Sequence, residues 1–175
     1  MADTTVPERI RRAVAALDVR PADRLLEIGC GGGGAVELLC PLLTTGTITA
    51  IDRSRTAVSR AVRRNEGPIG DGRATIATAA FTEADVRAAG LSAHRFDKIF
   101  AINVNLFWTG PARAELTLAA DLLAPGGTLH TFYEPPNGRL DEIAGRVAHT
   151  LAAGGFTIEV VRMAPVVAIV GRLSA

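Results

Sequence analysis

The run Leu25-Leu26-Glu27-Ile28, followed by Gly29-Cys30-Gly31-Gly32-Gly33-Gly34, constrains this chain more than any other stretch. An apolar tetrapeptide with one acid reads as the end of a buried strand, and a helical pattern resumes at Ala35. Between them the glycines can take left-handed backbone angles that a Cβ resists. Strand, glycine turn and helix together can lay a nucleotide-like ligand across a helix N-terminus. Two spacings overlap, GxGxxG on Gly29, Gly31 and Gly34 and GxGxG on Gly29, Gly31 and Gly33. The glycines alone do not choose between a dinucleotide and another adenosine-containing cofactor.

Glu27 tips that choice. A dinucleotide sets a pyrophosphate over the turn, and a carboxylate at the strand end opposes it. At about 4 Å the repulsion is roughly 1 kcal/mol in water and about 4 kcal/mol at an effective dielectric of about 20. The same carboxylate favours a ligand with a cationic amino group, and S-adenosylmethionine carries one beside its sulfonium. Glu27-Ile28-Gly29-Cys30-Gly31-Gly32-Gly33 resembles, position by position, the first motif of the class I S-adenosylmethionine-dependent methyltransferases, an acid, any residue, then GxGxG.

The remaining chain alternates strand and helix patterns. Pro7 to Leu17 has helical spacing through Ile10, Val14 and Leu17, after a disordered Met1 to Thr5. Ala35 to Leu42 follows the glycines as a helix, with Cys40 on its core side. Thr47 to Ile51 is a second strand that Asp52 ends, and Ser54 to Arg64 a helix with a solvated arginine face. Asp52 lies 18 residues past Gly34, where an acid reaches a ribose diol; the plainer role is a cap on the next helix. Gly67 to Gly72 is a loop, Ala74 to Thr78 a third strand and Phe96 to Ile102 a fourth. Pro111 to Leu123 is helical, Thr128 to Tyr133 a fifth strand and Leu140 to Ala153 a helix stopped by Gly154-Gly155. Phe156 to Met163 and Val166 to Leu173 sit so close in sequence that they must pair antiparallel.

Leu123-Ala124-Pro125-Gly126-Gly127 is similar to the family's L-x-P-G-G turn, and the closing hairpin to its reversed last strands. The resemblance runs from about Arg9 to Leu173. It implies a three-layer α/β/α, Rossmann-like fold whose seven-stranded sheet is mostly parallel, with an antiparallel C-terminal hairpin. It also implies S-adenosyl-L-methionine over the ends of the first, second and fourth strands, held by Glu27, Gly29, Cys30, Gly31, Gly33, Asp52, Arg53, Asn103 and Val104. Relatives often carry an acid after the third strand for the adenine amino group. Ala79-Ala80-Phe81-Thr82-Glu83 departs from that pattern, leaving the backbone of Ala80 and Phe81 for the adenine edge and the Phe81 ring to cover the base.

The acceptor is expected at the ends of the fourth and fifth strands, against Asn105, Leu106, Phe107, Trp108 and Tyr133, with Tyr133-Glu134-Pro135-Pro136 on the far side. The chain's one Trp and one Tyr both fall there, although Phe107 and Trp108 could equally pack under the following helix. Glu134, Tyr133 and Asn103 are the candidates for a catalytic role, ahead of His130, which falls mid-strand and reads as a core histidine. Asn103-Val104-Asn105-Leu106 is not the Asn-Pro-Pro-Tyr of the DNA-adenine and protein-glutamine enzymes.

Composition narrows the partners. A net charge of +1 supplies no basic surface for nucleic acid or anionic membrane. Two cysteines and three scattered histidines suggest neither a disulfide framework nor a metal. With no N-terminal h-region and no long apolar run, the expectation is one cytoplasmic domain over residues 1–175, with residues 1–20 a candidate lid. The favoured reading is an enzyme methylating a small molecule, with a homo-oligomer compatible. The rivals are a non-catalytic cofactor-binding or assembly subunit and an NAD(P)-dependent oxidoreductase on the overlapping GxGxxG. The second rival lacks a substrate domain and a lysine four residues after Tyr133.

Overall fold

The computed structural model describes residues 6–135 and 138–173. Met1 to Thr5, read as disordered, and Pro136, read at the acceptor end, lie outside the described residues. Seven strands form one sheet: β1 (Arg24–Ile28), β2 (Thr47–Asp52), β3 (Ala74–Thr78), β4 (Phe96–Ile102), β5 (Leu123–Tyr133), β6 (Phe156–Met163) and β7 (Val166–Leu173). Their order is β3-β2-β1-β4-β5-β7-β6. The first five strands run parallel, and β7 enters antiparallel to both β5 and β6. The chain reverses outward from β1 at β4, so the carboxyl ends of β1, β2 and β4 flank a crevice of the kind that takes ligands in open α/β sheets.

Alternation along the strands feeds two cores. One face sends Leu26, Ile28, Ile99, Leu129 and Ile169 against α6 (Arg113–Leu122) and α7 (Leu140–Ala153). The other face sends Leu25, Ile48, Phe100, Phe132 and Ala168 toward α1 (Glu8–Ala16) and α2 (Gly34–Leu39). Near-continuous apolar runs in β1 and β2 are what a parallel sheet covered on both faces requires. Residues Ala13, Val14 and Leu17 are built into the second core, so the N-terminal helix is a packed layer of the fold.

Three elements differ from the sequence-based expectation. The loop Gly67 to Gly72 contains one helical turn, α4 (Glu66–Gly70), which follows directly on α3 (Arg55–Arg64). A second short helix, α5 (Glu83–Ala88), fills the stretch after β3; Thr82 caps it by accepting from the Asp85 backbone N–H at 3.2 Å. Strand β5 starts at Leu123, because Leu123 pairs with Phe96 before Ala124 to Gly127 leave the ladder and Thr128 rejoins opposite Lys98. The Pro-Gly-Gly turn is therefore an excursion within the strand, with Gly126 at φ +76.

Candidate functional site

The glycine turn closes over the end of β2. The N–H groups of Gly29 and Cys30 donate to the Ile51 carbonyl at 2.8 and 3.0 Å. Asp52 continues the tie, its Oδ2 accepting from the Gly31 N–H at 2.9 Å and its Oδ1 from the Ser54 N–H at 2.8 Å. The cap of α3 is Ser54, whose hydroxyl accepts from Ala57 N–H, so capping does not account for Asp52. Gly29, Gly31 and Gly33 all have positive φ, but for different reasons. A Cβ on Gly29 would sit 2.6 Å from Cγ2 of Val104, and one on Gly33 would meet Asn65 and Ala61. At Gly31 it would meet nothing within 4 Å. Two glycines thus let the chain pack, and the middle one opens a cradle.

Glu27 stands beneath this turn, 3% exposed, and its Oε2 has no hydrogen-bond partner among the described residues. Burial, and then the nearby Asp52 charge, raise its pKa to about 8. The Cys30 thiol is pushed up by burial first and by the Glu27 and Asp52 charges next, so it behaves as packing and not as a nucleophile. A buried carboxyl group with a lone oxygen is costly unless something pairs with it. An ammonium group in the cradle would do so, and the donor set therefore fits S-adenosylmethionine.

Asn103 leaves β4 in a left-handed conformation, φ +54, which asparagine tolerates better than most residues. Its Oδ1 accepts from the Glu134 N–H at 2.8 Å, tying the ends of β4 and β5 together. Val104 lies against Gly29, and its carbonyl accepts the Tyr133 hydroxyl at 3.0 Å. Glu134 is partly exposed and has Arg9 of α1 at 3.9 Å. The structure therefore gathers Glu27, Gly29, Cys30, Gly31, Gly33, Asp52, Asn103 and Val104 about one crevice, with Glu134 at its rim.

Other expected residues go elsewhere. Tyr133 is 3% exposed, its hydroxyl is used by Val104, and burial raises its pKa, which removes it as a base and as a wall of an open mouth. Phe107 is fully buried under α7 and belongs to the core. Leu106 packs against the same core, and Asn105 holds the turn by accepting the Trp108 Nε1–H at 3.1 Å. Trp108 instead borders a shallow groove with Thr109, Arg146 and His149. His130 is 6% exposed, hydrogen-bonded at 2.7 Å to Thr128 and driven down to about 4 by burial, so it is a neutral core residue.

The adenine expectation also changes. Phe81 is 6% exposed and packed in the core, not poised over a base. A cavity of about 280 Å³ opens beside it instead, lined by Arg53, Ala77, Thr78, Ala79, Ala80, Asp85, Ala88 and Ala89. The Ala80 N–H already donates to Asp85 Oδ2 at 2.8 Å. Sequence reasoning missed Asp85, although Thr82-x-x-Asp85 has the spacing of a capping box. It also missed Asn65, 1% exposed, whose Nδ2 donates to the carbonyls of Gly33 at 3.1 Å and Ala61 at 2.9 Å. Nothing local marks Asn65; only the fold brings it under the glycine turn. No helix among the described residues is long and apolar enough to cross a membrane, and no cluster of three metal-binding side chains occurs among them.

Comparison with known proteins places this geometry in a family. Residues 25–127 match the model of the methyltransferase domain. Trans-aconitate 2-methyltransferase of Delftia acidovorans is 32% identical over 153 residues, covering 83% of this chain and 51% of that protein. The chain thus spans about half the length of the trans-aconitate enzymes it matches. Ribosomal RNA small subunit methyltransferase H of Dichelobacter nodosus is 35% identical over 95 residues, 54% of this chain and 29% of that protein. Among solved structures, a SAM-dependent methyltransferase from Aquifex aeolicus superposes with a TM-score of 0.74 at 16% identity, covering 93% of this chain and 88% of the other. With more than half its length matched and the fold shared, the chain belongs to the methyltransferase-domain family, within the class I S-adenosylmethionine-dependent methyltransferases.

Proposed function

We propose that this chain binds S-adenosylmethionine in the crevice at Gly31 and transfers its methyl group to a small-molecule acceptor. The observation that carries the reading is Glu27, a buried acid with an unpartnered oxygen directly below an open glycine cradle. When bound, the cofactor would supply an electrophilic methyl on a sulfonium, to which the acceptor's nucleophile would bond in line as the carbon–sulfur bond breaks and the neutral thioether leaves. Alignment does most of the work in such a displacement. Glu27 holds the amino acid end, Asp52 takes the ribose hydroxyls while steadying Gly31, and Val104 sets the floor between the turn and β4. Asn103 and Glu134 face the acceptor side, with Asn105 and Leu106 on the loop behind.

Small carboxylic acids are the first acceptors to test, since trans-aconitate enzymes are among the relatives. A carboxylate is already ionised at neutral pH and needs no general base. Glu134 would oppose it, and Arg9 at 3.9 Å is placed to offset that charge. A hydroxyl or amine acceptor would instead use Glu134 as base, a contribution of about 10² to 10⁴-fold. An RNA acceptor is the second reading, favoured by the ribosomal RNA relative. The test is calorimetry with S-adenosylmethionine, followed by mass-spectrometric detection of methyl transfer to carboxylates, alcohols, amines and a ribosomal RNA fragment. Micromolar cofactor binding with turnover of a small acid is the expected result. Absence of cofactor binding would overturn the reading, and turnover of RNA alone would replace its acceptor.

A further inference from the structure

The groove beside Trp108 has a volume of about 490 Å³, and none of its lining residues belongs to the cofactor crevice. Trp108 and Pro111, from the loop after β4, stand on one wall; Gly145, Arg146, His149 and Thr150, from α7, make the other. Trp108 spends its only polar atom on Asn105, which accepts the indole N–H at 3.1 Å, so it offers a ligand ring surface alone. No acid lines the groove, and its two basic side chains are neighbours one turn apart on α7. Glu142 does not neutralise Arg146. Its Oε2 and Oε1 already accept from Arg139 at 2.9 and 3.0 Å, while Arg146 Nη2 stands 3.2 Å from Oε1. Two guanidinium groups therefore share one carboxylate, which leaves this wall positive. The His149 side chain is exposed and has no hydrogen-bond partner among the described residues. Gly145 lies inside the 14-residue α7, where glycine is unfavourable, yet a Cβ there would meet nothing within 4 Å. Packing does not require this glycine; its effect is to keep the groove open.

We propose that this groove is a second ligand site, which takes a small aromatic carboxylate. The ring lies against Trp108 and Pro111, and the carboxylate is held by Arg146, His149 and the Thr150 hydroxyl. A planar carboxylate matches the fork of a guanidinium, and the volume is that of a small-ligand pocket. Trp108 is the only tryptophan of the chain, so intrinsic fluorescence reports on the groove directly. Titration of the whole chain with benzoate, with no cofactor present, should change that emission saturably, half-maximal on the order of 1 mM. Benzamide keeps the ring without the charge, and cyclohexanecarboxylate keeps the charge without the flat ring. Each should bind at least about fivefold more weakly than benzoate. Arg146→Gln should lower benzoate affinity by about the same factor and leave benzamide unchanged. Gly145→Leu, favoured by the helix and filling the groove, should abolish the response with circular dichroism unchanged. No saturable change in the wild type would overturn the site. So would an analogue that matches benzoate, an Arg146→Gln protein with full affinity, or a folded Gly145→Leu protein that still binds. Each of these failures leaves the cofactor reading standing, because the titration uses none.

Discussion

A single carboxyl group does most to distinguish this crevice from a plain strand-to-helix turn. Glu27 is raised from 4.5 to about 8, chiefly by burial and then by Asp52. The folded protein therefore holds this proton more tightly than the unfolded chain does. Its contribution to stability is fully present below pH 4.5 and is lost as pH rises through about 8. The ligand-free protein should melt at progressively lower temperature between pH 5 and pH 9, and Glu27→Gln should flatten that slope by on the order of a few kcal/mol. Parallel melting curves for the two proteins would refute the assignment. An ammonium ligand favours the ionised form, so cofactor binding at pH 7 should release a proton, read as a binding enthalpy that varies with buffer ionisation enthalpy. Gly31→Val tests the neighbouring position. At φ +52 a β-branched side chain is strained and would enter the cradle, so affinity for S-adenosylmethionine should fall at least about tenfold with circular dichroism unchanged. Unaltered affinity would move the ligand away from this turn.

Helices and strands matter here through the ends they present. The carboxyl ends of β1, β2 and β4 bring Glu27, Asp52 and Asn103 to one side of the sheet, Glu27 buried among them, and α3 reaches back through Asn65 to fix Gly33. Asn65 caps the C-terminus of α3 while its side chain makes two buried hydrogen bonds, one within α3 and one to the glycine turn. Asn65→Ala leaves the Gly33 carbonyl unpaired, and urea denaturation should show a loss of roughly 1–3 kcal/mol. Cofactor affinity should fall as well, because Gly33 sets the entry of α2. A change in stability alone would make Asn65 a helix cap with no part in the cradle. The long periodic helices and all seven strands were legible from hydrophobic spacing. The single-turn α4 and the six-residue α5 were not, since one or two turns cannot display a helical period. The early start of β5 was hidden by Pro125 and Gly126, which mark a turn whether it lies before a strand or inside one.

At the scale of the molecule the two edges of the sheet divide the work. The carboxyl edge carries the crevice, and the amino edge carries an ion pair, Lys98 Nζ to Asp23 Oδ2 at 2.5 Å with both side chains mostly buried. Asp23 also accepts the Arg20 N–H at 2.9 Å, so the pair closes the entry to β1. Lys98→Ala strands a buried carboxylate and should cost roughly 3–5 kcal/mol in denaturant unfolding. Affinity for S-adenosylmethionine should stay within about twofold at temperatures where the variant is folded, because the pair lies at the other end of β4. A marked loss of affinity would mean that the edges are coupled. Helix α1 spans this division, burying Ala13 and Val14 in the core while Arg9 reaches the rim at Glu134. Removal of Met1 to Arg12 is thus expected to lower stability as well as turnover.

Local chemistry was enough to determine the strands themselves, the acid-and-glycine turn and the acid closing β2, because each depends on neighbours in the chain, whereas the architecture of the sheet came only as what the family resemblance implied. Backbone angles, strand alternation and the charge of Glu27 are all properties of short stretches. Which side chains share the crevice was decided by the tertiary structure. Tyr133 and Phe107 sit where an aromatic acceptor wall was expected, yet the facing helices α6 and α7 bury them. Phe81 turned inward for the same reason, and Asp85 came to the cavity from a helix too short to be seen in the pattern. A residue's position at a strand end is a local fact. Whether its side chain meets a helix or an open cavity depends on elements tens of residues away.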